Sequence, residues 1–328
     1  MNAELLDDLR ATTREALTAA NGGDIVDQLD LSGLLVDDDR GGLGMGELEM
    51  VLVAEEIGRR AAKSSFLESA VLGATLSGVV VEPNLAVVIA GRDGSWATAS
   101  NDVSATSTED GGWHVRGTAW AVAASPSPSR VIAPAATGAG VALFEVEDIA
   151  FDAADEFDPG RGLIEVRLDA AARQLADPEA THQLLATAHR RALLAVGAEQ
   201  LGVARACLEM TVEYAKTRSQ FGAPIGSFQA IKHRCADVLL DTELADAVLK
   251  QAVHTGTLVD AELAFVVSTR AAVTAAESCI HIHGGIGFTW EHSAHWYLRR
   301  ARSNATLLGA PGTHRAVIAE SAGLNTEE

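Results

Sequence analysis

The sequence predicts an α+β multi-domain protein in which a β-rich segment lies between two helical segments. Apolar residues recur with helical spacing in 1–82, short apolar runs alternate with turn residues in 83–172, and long amphipathic patterns return in 173–328. We therefore expect an N-terminal helical domain, a middle antiparallel β-domain and a C-terminal four-helix bundle, with these ranges as the domains.

The N-terminal helical domain is predicted from three stretches with helical periodicity, which cover 4–19, 47–61 and 67–80. A polar and then glycine-rich segment, 34–46, separates the first two. A glycine-rich loop before a helix can hold a phosphate, but this one lacks the G-x-G-x-x-G spacing and no strand precedes it. We interpret it as a connecting turn.

The middle domain is predicted from short β-rich runs that Gly, Asp, Asn, Ser and Pro separate at close spacing. The runs are 85–90, 96–98, 113–115, 119–123, 130–133, 141–146 and 163–168. Because no helical pattern intervenes, they indicate an antiparallel sandwich or barrel. Asp177, Pro178 and Glu179 then indicate a helix start, since Pro suits the first turn and acidic residues suit the helix dipole.

The C-terminal bundle is predicted from four long amphipathic patterns, at 180–217, 227–255, 259–281 and 293–308. Short connections between long helices indicate antiparallel neighbours. Many small residues in the first of these helices, including Gly202, permit close approach of another helix.

Composition and charge exclude several classes of partner. The 328 residues carry a formal net charge of −20 spread along the chain, which argues against nucleic acid or an anionic membrane surface. Apolar runs such as 71–81 are shorter than the ~20 residues that cross a bilayer, and charged residues interrupt 1–17 where a signal peptide would be apolar. The three cysteines lack paired spacing, so we expect reduced thiols in a cytoplasmic protein.

The segment between the first two bundle helices combines a cation with aromatic and turn-forming residues. Arg218 follows the first helix, and Phe221, Ile225 and Phe228 offer three apolar contacts around the same corner. A guanidinium binds phosphate through two parallel hydrogen bonds, and flat apolar side chains pack on a ring. The pattern therefore indicates a nucleotide site.

A second candidate motif ends the third bundle helix. His281 precedes Gly284 and Gly285, where a backbone without Cβ atoms lets a ligand approach closely. The segment also contains four histidines, His281, His283, His292 and His295. No carboxylate is placed with them, and positions 281 and 283 point to different faces of a helix, so we expect no metal site.

Each motif has a plain structural alternative. On spacing alone, Arg218 could cap its helix and pair with Glu213 or Asp241. Gly284 and Gly285 could form an ordinary helix C-cap.

Three motifs together resemble the acyl-CoA dehydrogenases over nearly the whole chain. They are TRSQFGAPIGSFQAIKH and HIHGGIGFTWEHSAHWYLRRA in the bundle, and LLVDDDRGGLGMGELEMVLVAEEIGR near the N-terminus. The resemblance implies a flavoenzyme that dehydrogenates an acyl-CoA between Cα and Cβ. A carboxylate takes the α-proton, hydride passes to FAD, and an electron-transfer flavoprotein accepts the electrons.

The same resemblance implies that each FAD lies between two subunits. One subunit's β-domain and C-terminal helix hold the flavin ring, and the neighbour's bundle holds the pyrophosphate and adenine. Matched by motif, the residues of the second half are Arg218, Gln220, Phe221, Ile225, Phe228, His281, Gly284 and Gly285. His281 stands where the family usually has Gln.

The ring-binding half departs from the family pattern. Ala121 and Ala123 occupy the positions of the Trp and Thr that contact the flavin, and Trp120 is one residue out of register. Leu308 stands at the usual position of the catalytic Glu, and Ala192 stands at the position that some members use instead. The catalytic base is therefore absent from both places.

Glu199 is the nearest acid to the second position, roughly 10 Å further along the helix by its rise per residue. It is a weak candidate for a displaced base, and a buried structural acid is the competing interpretation. A side chain without a titratable group does no general acid–base work.

The chain therefore resembles the shortened, degenerate subunit of heteromeric acyl-CoA dehydrogenases of the steroid side-chain type. We expect a heterotetramer with a homologous catalytic subunit that supplies the base and the ring site. Two alternatives stay open, a self-sufficient homo-oligomer with a displaced base and a flavin-free scaffold subunit.

Overall fold

The computed structural model describes residues 3–19, 23–82, 84–91, 96, 102–123, 125, 128–147, 149–153 and 157–324. The chain forms two compact units. The first comprises Met1–Met50, Lys63–Ala192 and Leu307–Ala310, and the second comprises Val51–Ala62, Leu193–Thr306 and Pro311–Glu328. The long helices α3 and α5, given below, each contribute residues to both units.

The N-terminal part of the first unit is helical, as predicted. It contains α1 (Ala3–Thr18), α2 (Ile25–Gln28), the start of α3 (Glu47–Arg60), and a π-helical turn, Phe66–Gly73, that continues into α4 (Ala74–Ser77). The turn is buried along its whole length. The prediction of one regular helix over 67–80 is therefore wrong in its local geometry.

The middle of the first unit is a seven-stranded sheet. Its strands are β1 (Leu85–Ala90), β2 (Val103–Ser107), β3 (Trp113–Val122), β4 (Arg130–Thr137), β5 (Gly140–Glu147), β6 (Ala150–Ala153) and β7 (Leu163–Ala176). Pairings β1–β3, β3–β7, β7–β5, β5–β4 and β4–β1 close a ring, so the sheet is a barrel. All strand pairs are antiparallel except β1–β4 and β2–β4, which are parallel and make the sheet mixed.

Several strands differ from their predicted bounds. The runs at 113–115 and 119–123 are one strand that continues through Gly117, where a Cβ would overlap the Asp102 carbonyl. Strands β2 and β6 were not predicted because they are short and contain few large apolar residues. Trp96 makes only an isolated bridge to Ala90, and positions 97 and 98 of that run lie outside the described residues.

The second unit contains all four predicted bundle helices. They are the C-terminal part of α5 (Pro178–Thr217), then α6 (Gln229–Thr255), α7 (Leu258–His283) and α8 (Ala294–Leu307). A further helix, α9 (Pro311–Ser321), follows α8. Gly256 ends α6 with a left-handed backbone, and the Thr257 hydroxyl then accepts the Asp260 N–H to begin α7.

Among the described residues, one helical segment, Leu258–Phe288, is long and apolar enough to span a bilayer, with a mean hydropathy of 1.3. More than half of its most apolar window is buried. Length and composition do not distinguish such a helix from the core helix of a bundle.

Candidate cofactor site

A short hairpin connects α5 to α6 at the first predicted motif. Strand β8 (Ser219–Gln220) pairs with β9 (Ala223–Pro224), and a 3-10 turn, Ile225–Ser227, leads into α6. Phe221 and Gly222 form the two-residue loop with positive φ at both positions, 53° and 78°. The loop therefore projects the Phe221 side chain outward, with 94% of it exposed.

Arg218 lies at the base of this hairpin with a free side chain. Its backbone carbonyl accepts the Ile225 N–H at 2.8 Å, which fixes the corner. Glu213 pairs with Lys216 and Asp241 pairs with Arg270, so the ion-pair alternative for Arg218 is wrong. Within the described part of the chain, the Arg218 guanidinium has neither an ion pair nor a hydrogen bond.

The structure brings the two predicted motifs together through stacked rings. Tyr214, one turn before Arg218, stacks on His283 at the end of α7, with ring centres 4.2 Å apart. Gly284 follows with a φ of 64°, and apart from the adjoining backbone no described atom lies within 4 Å of where a Cβ of Gly284 or Gly285 would be. The exposed backbone of the second motif therefore opens beside the end of α5 that carries Arg218.

The other predicted residues of this half are also accessible. Gln220 and His281 are exposed, Ile225 is half-buried, and the rings of Phe221 and Phe228 meet edge to face at 6.2 Å. Tyr214 was missed by sequence reasoning. Its position four residues before Arg218, on the same helix face, is the signal that would have identified it.

The histidines of the second motif form a ring cluster. His283 contacts Tyr214 on one side and His292 on the other, with 4.3 Å between the imidazole centres. Burial lowers the pKa of His292, and the neighbouring His283 and His295 lower it further. Among the residues that the structure describes, no group of three His, Cys, Asp or Glu side chains is arranged to hold a metal ion.

The depressed pKa of His292 predicts a loss of stability in acid. Its neutral Nδ1 accepts the Ala294 N–H at 3.1 Å, and this form is favoured in the folded protein. The stabilisation of the fold by neutral His292 is fully present above a pH of about 6.5. It is lost as pH falls, because the His292 imidazole binds a proton more readily in the unfolded chain than in the folded one. The unfolding free energy can be measured by urea denaturation at about pH 7.5 and at about pH 5.5. Between these two pH values it should fall less in His292→Gln than in the wild type.

Glu199 is buried inside the second unit and is held by other side chains. The Asn304 amide donates to its carboxylate at 3.0 Å, and the buried Arg300 guanidinium lies 3.9 Å from the same oxygen. Gly58 of α3 packs directly on its backbone. These contacts favour the structural interpretation of Glu199 over a role as a displaced base.

We therefore expect Glu199→Gln to reduce stability without reducing turnover. Loss of the charge weakens the contacts to Asn304 and Arg300, at a cost of about 1–2 kcal/mol in unfolding free energy. Asn304→Ala should reduce stability by a similar amount. In the acyl-CoA-dependent dye reduction that the resemblance predicts, measured with the predicted catalytic subunit present, Glu199→Gln should turn over as the wild type does, and loss of turnover would make Glu199 the base.

Comparison with known proteins identifies the family. Residues 182–323 match the family model "Acyl-CoA dehydrogenase, C-terminal domain". Acyl-CoA dehydrogenase FadE27 of Mycobacterium tuberculosis is 30% identical over 318 residues, which cover 86% of this chain and 83% of that relative. The chain belongs to the acyl-CoA dehydrogenase family. The suspected resemblance and the predicted fold class are both confirmed.

Two further relatives extend this acyl-CoA dehydrogenase assignment. Acyl-CoA dehydrogenase IpdE2 of M. tuberculosis is 49% identical over 120 residues, 37% of this chain, and the match covers only 38% of that relative's length. The crystal structure of the ChsE4-ChsE5 complex from M. tuberculosis contains a chain with 26% identity and a TM-score of 0.84. That likeness covers 99% of both chains.

FAD is the cofactor of the acyl-CoA dehydrogenase family, and the described residues fit one half of it. A free guanidinium at Arg218 suits a pyrophosphate, and open glycine backbone suits close approach of a flat group. Phe221 and Phe228 add aromatic faces beside them.

The residues that the resemblance predicts at the flavin-ring positions lie in the barrel. Ala121 and Ala123 are buried in the core of the barrel and carry no hydrogen-bonding side chain. Trp120 lies on the opposite face of β3 and is half-buried. Leu308, which the resemblance predicts to stand at the position of the catalytic Glu, is also buried.

Proposed function

We propose that this chain is one subunit of an FAD-dependent acyl-CoA dehydrogenase and supplies the adenine and pyrophosphate half of an FAD site. The flavin-ring half and the catalytic base belong to a homologous partner chain. The observation that carries the proposal is the guanidinium of Arg218, which has no hydrogen bond or ion pair among the described residues and follows the Tyr214 ring that stacks on His283 beside the open backbone of Gly284. The resemblance that puts Leu308 at the base position supports the assignment of the base to a partner. Under this proposal the chain supplies one half of the site and its partner supplies the other.

The residues of this chain would bind and orient the cofactor. Arg218 would donate its N–H groups to the pyrophosphate, and Gln220 and His281 would offer polar contacts on the adenine side. The backbone at Gly284 and Gly285 would let the adenine approach closely. Bound FAD supplies the hydride acceptor for oxidation of the acyl group between Cα and Cβ.

Removal of the α-proton falls to the partner under this proposal. Leu308 has no titratable group, and Glu199 is engaged by Asn304 and Arg300 in the second unit. We propose an acyl-CoA thioester as substrate and an electron-transfer flavoprotein as electron acceptor. The steroid-type acyl group, the heterotetramer and the cytoplasmic location belong to the same proposal.

The similarity to a chain of a two-protein complex supports a hetero-oligomer. The matching structure is a complex of ChsE4 and ChsE5, and its likeness to this chain covers 99% of both chains. A partner of the same family would bring the groups that this chain lacks. Co-expression with a homologous acyl-CoA dehydrogenase is therefore the direct test.

We expect the isolated chain to bind little flavin and to show no acyl-CoA-dependent dye reduction. Co-expressed with a homologous catalytic subunit, it should purify as a complex with flavin absorbance and turnover. A yellow, fully active preparation of the chain alone would overturn the proposal and favour the self-sufficient homo-oligomer. If the complex is active and Arg218→Ala leaves its flavin content at the wild-type level, the scaffold alternative is favoured.

A further inference from the structure

Two of the three cysteines meet in the core of the second unit. Cys207 lies on α5 and Cys279 lies on α7, both side chains are fully buried, and both thiols are free. The two thiols share a hydrogen bond. The Thr211 hydroxyl donates to the Cys207 carbonyl at 2.7 Å and also contacts the Cys279 thiol. Both contacts place the sulfur of Cys279 against the turn of α5 that carries Cys207.

Small residues let α5 and α7 approach each other closely. At Gly197 of α5, the nearest atom to an added Cβ would be the Phe265 Cα of α7, 3.6 Å away. Ala275 and Ala276, within about one turn of Cys279, are buried on α7. A disulfide has a sulfur–sulfur bond of about 2.05 Å and draws its two Cβ atoms to about 3.8 Å. Glycine and alanine at a helix contact permit this closer approach.

The surroundings of the pair give its two sulfur atoms different roles. Burial raises the pKa of Cys207, so this side chain stays a thiol. The hydrogen bond from Cys207 lowers the pKa of Cys279, and Thr211 lowers it further, although burial opposes both. The Nδ1 of His283 lies 3.6 Å from the Cys279 sulfur on the other side. These neighbours favour the thiolate at Cys279, which is the form that reacts with an oxidant.

The same groups do not favour a metal ion at the pair. The His283 Nδ1 contacts the Cys279 carbonyl at 2.7 Å. Because a carbonyl oxygen only accepts hydrogen bonds, this nitrogen carries a proton and has no lone pair for a metal. Across the described ranges, no three His, Cys, Asp or Glu side chains converge as metal ligands. The geometry is that of a dithiol.

We infer that Cys207 and Cys279 form a redox-sensitive dithiol, which hydrogen peroxide oxidises to a disulfide between α5 and α7. The Cys279 thiolate attacks one peroxide oxygen and the O–O bond breaks. Hydroxide leaves with the proton that Cys279 had released, as water, and Cys279 becomes a sulfenic acid. The Cys207 sulfur then displaces the sulfenic hydroxyl, which leaves as a second water with the Cys207 proton. The two thiols lose two electrons, and one peroxide is reduced to two waters.

The test exposes the folded full-length chain to hydrogen peroxide, without a partner or FAD, and maps its cysteines by alkylation and peptide mass. We expect the wild type to lose two of its three thiols, to yield a linked peptide pair containing Cys207 and Cys279, and to regain both thiols with dithiothreitol. In Cys207→Ala, the sulfenic acid at Cys279 should persist and be trapped by dimedone. In Cys279→Ala, Cys207 should oxidise about 10-fold more slowly.

Cys235 of α6 provides the internal control. It is half-buried, and burial raises its pKa, so Cys235→Ala should form the same disulfide as the wild type. Retention of the Cys207 and Cys279 thiols in peroxide-treated wild type would overturn the inference. A disulfide that involves Cys235, or a loss of thiols that dithiothreitol does not reverse, would overturn it as well. The wild-type result alone decides these outcomes, and unchanged circular dichroism confirms that each variant has folded.

Discussion

Arg218→Ala is expected to remove FAD from the proposed complex of this chain and a catalytic partner. A guanidinium that makes two charge-assisted hydrogen bonds to a pyrophosphate contributes about 100-fold to affinity. We therefore expect FAD binding about 100-fold weaker than in the wild type, measured by fluorescence titration of the apo-complex. Acyl-CoA turnover should fall with the flavin content and return at high FAD concentration.

The Arg218→Ala substitution should affect FAD binding without affecting the stability of the chain. Because the Arg218 side chain has no hydrogen bond or ion pair among the described residues, its removal breaks no polar interaction within the folded chain. The variant should unfold at the wild-type temperature and should still bind the partner. Arg270→Ala is the matched control, since this exposed arginine lies on α7 and pairs with Asp241. Equal flavin content in wild type and Arg218→Ala would contradict a cofactor role.

The fold was predictable where one pattern persists over many residues. The helical periodicity of α5 to α8 predicts their bounds to within two residues, because long amphipathic helices bury one continuous face. Strand β7 extends eight residues beyond its predicted end. Its second half is rich in alanine and mostly half-buried, with no large apolar residue except Leu175, so no apolar alternation marks it in the sequence.

The candidate site was predictable only in part. Arg218 and the glycines at 284 and 285 come from motifs that are visible in the sequence. Their proximity depends on the stacking of Tyr214 on His283, a contact between helices that no local pattern encodes. The hairpin that exposes Phe221 also depends on a pairing of only two residues from each strand, which is too short for a periodic signal.

Gly202→Ala is expected to destabilise the second unit by about 3 kcal/mol or more, or to prevent its folding. A Cβ at Gly202 would overlap the carbonyl oxygen of Glu55 in α3. The obstacle is backbone, so the two helices would have to separate and lose contacts along their crossing. Urea denaturation followed by circular dichroism would measure the change in unfolding free energy.

Gly197→Ala, on the same helix α5, is the matched control. There the nearest atom to an added Cβ is 3.6 Å away, which is an ordinary contact. Alanine is the better helix former, so this variant should lie within about 1 kcal/mol of the wild type. Gly58→Ala should resemble Gly202→Ala, since its Cβ would overlap the carbonyl of Glu199. Equal stability of Gly197→Ala and Gly202→Ala would show that α3 and α5 do not approach as closely as the structure places them.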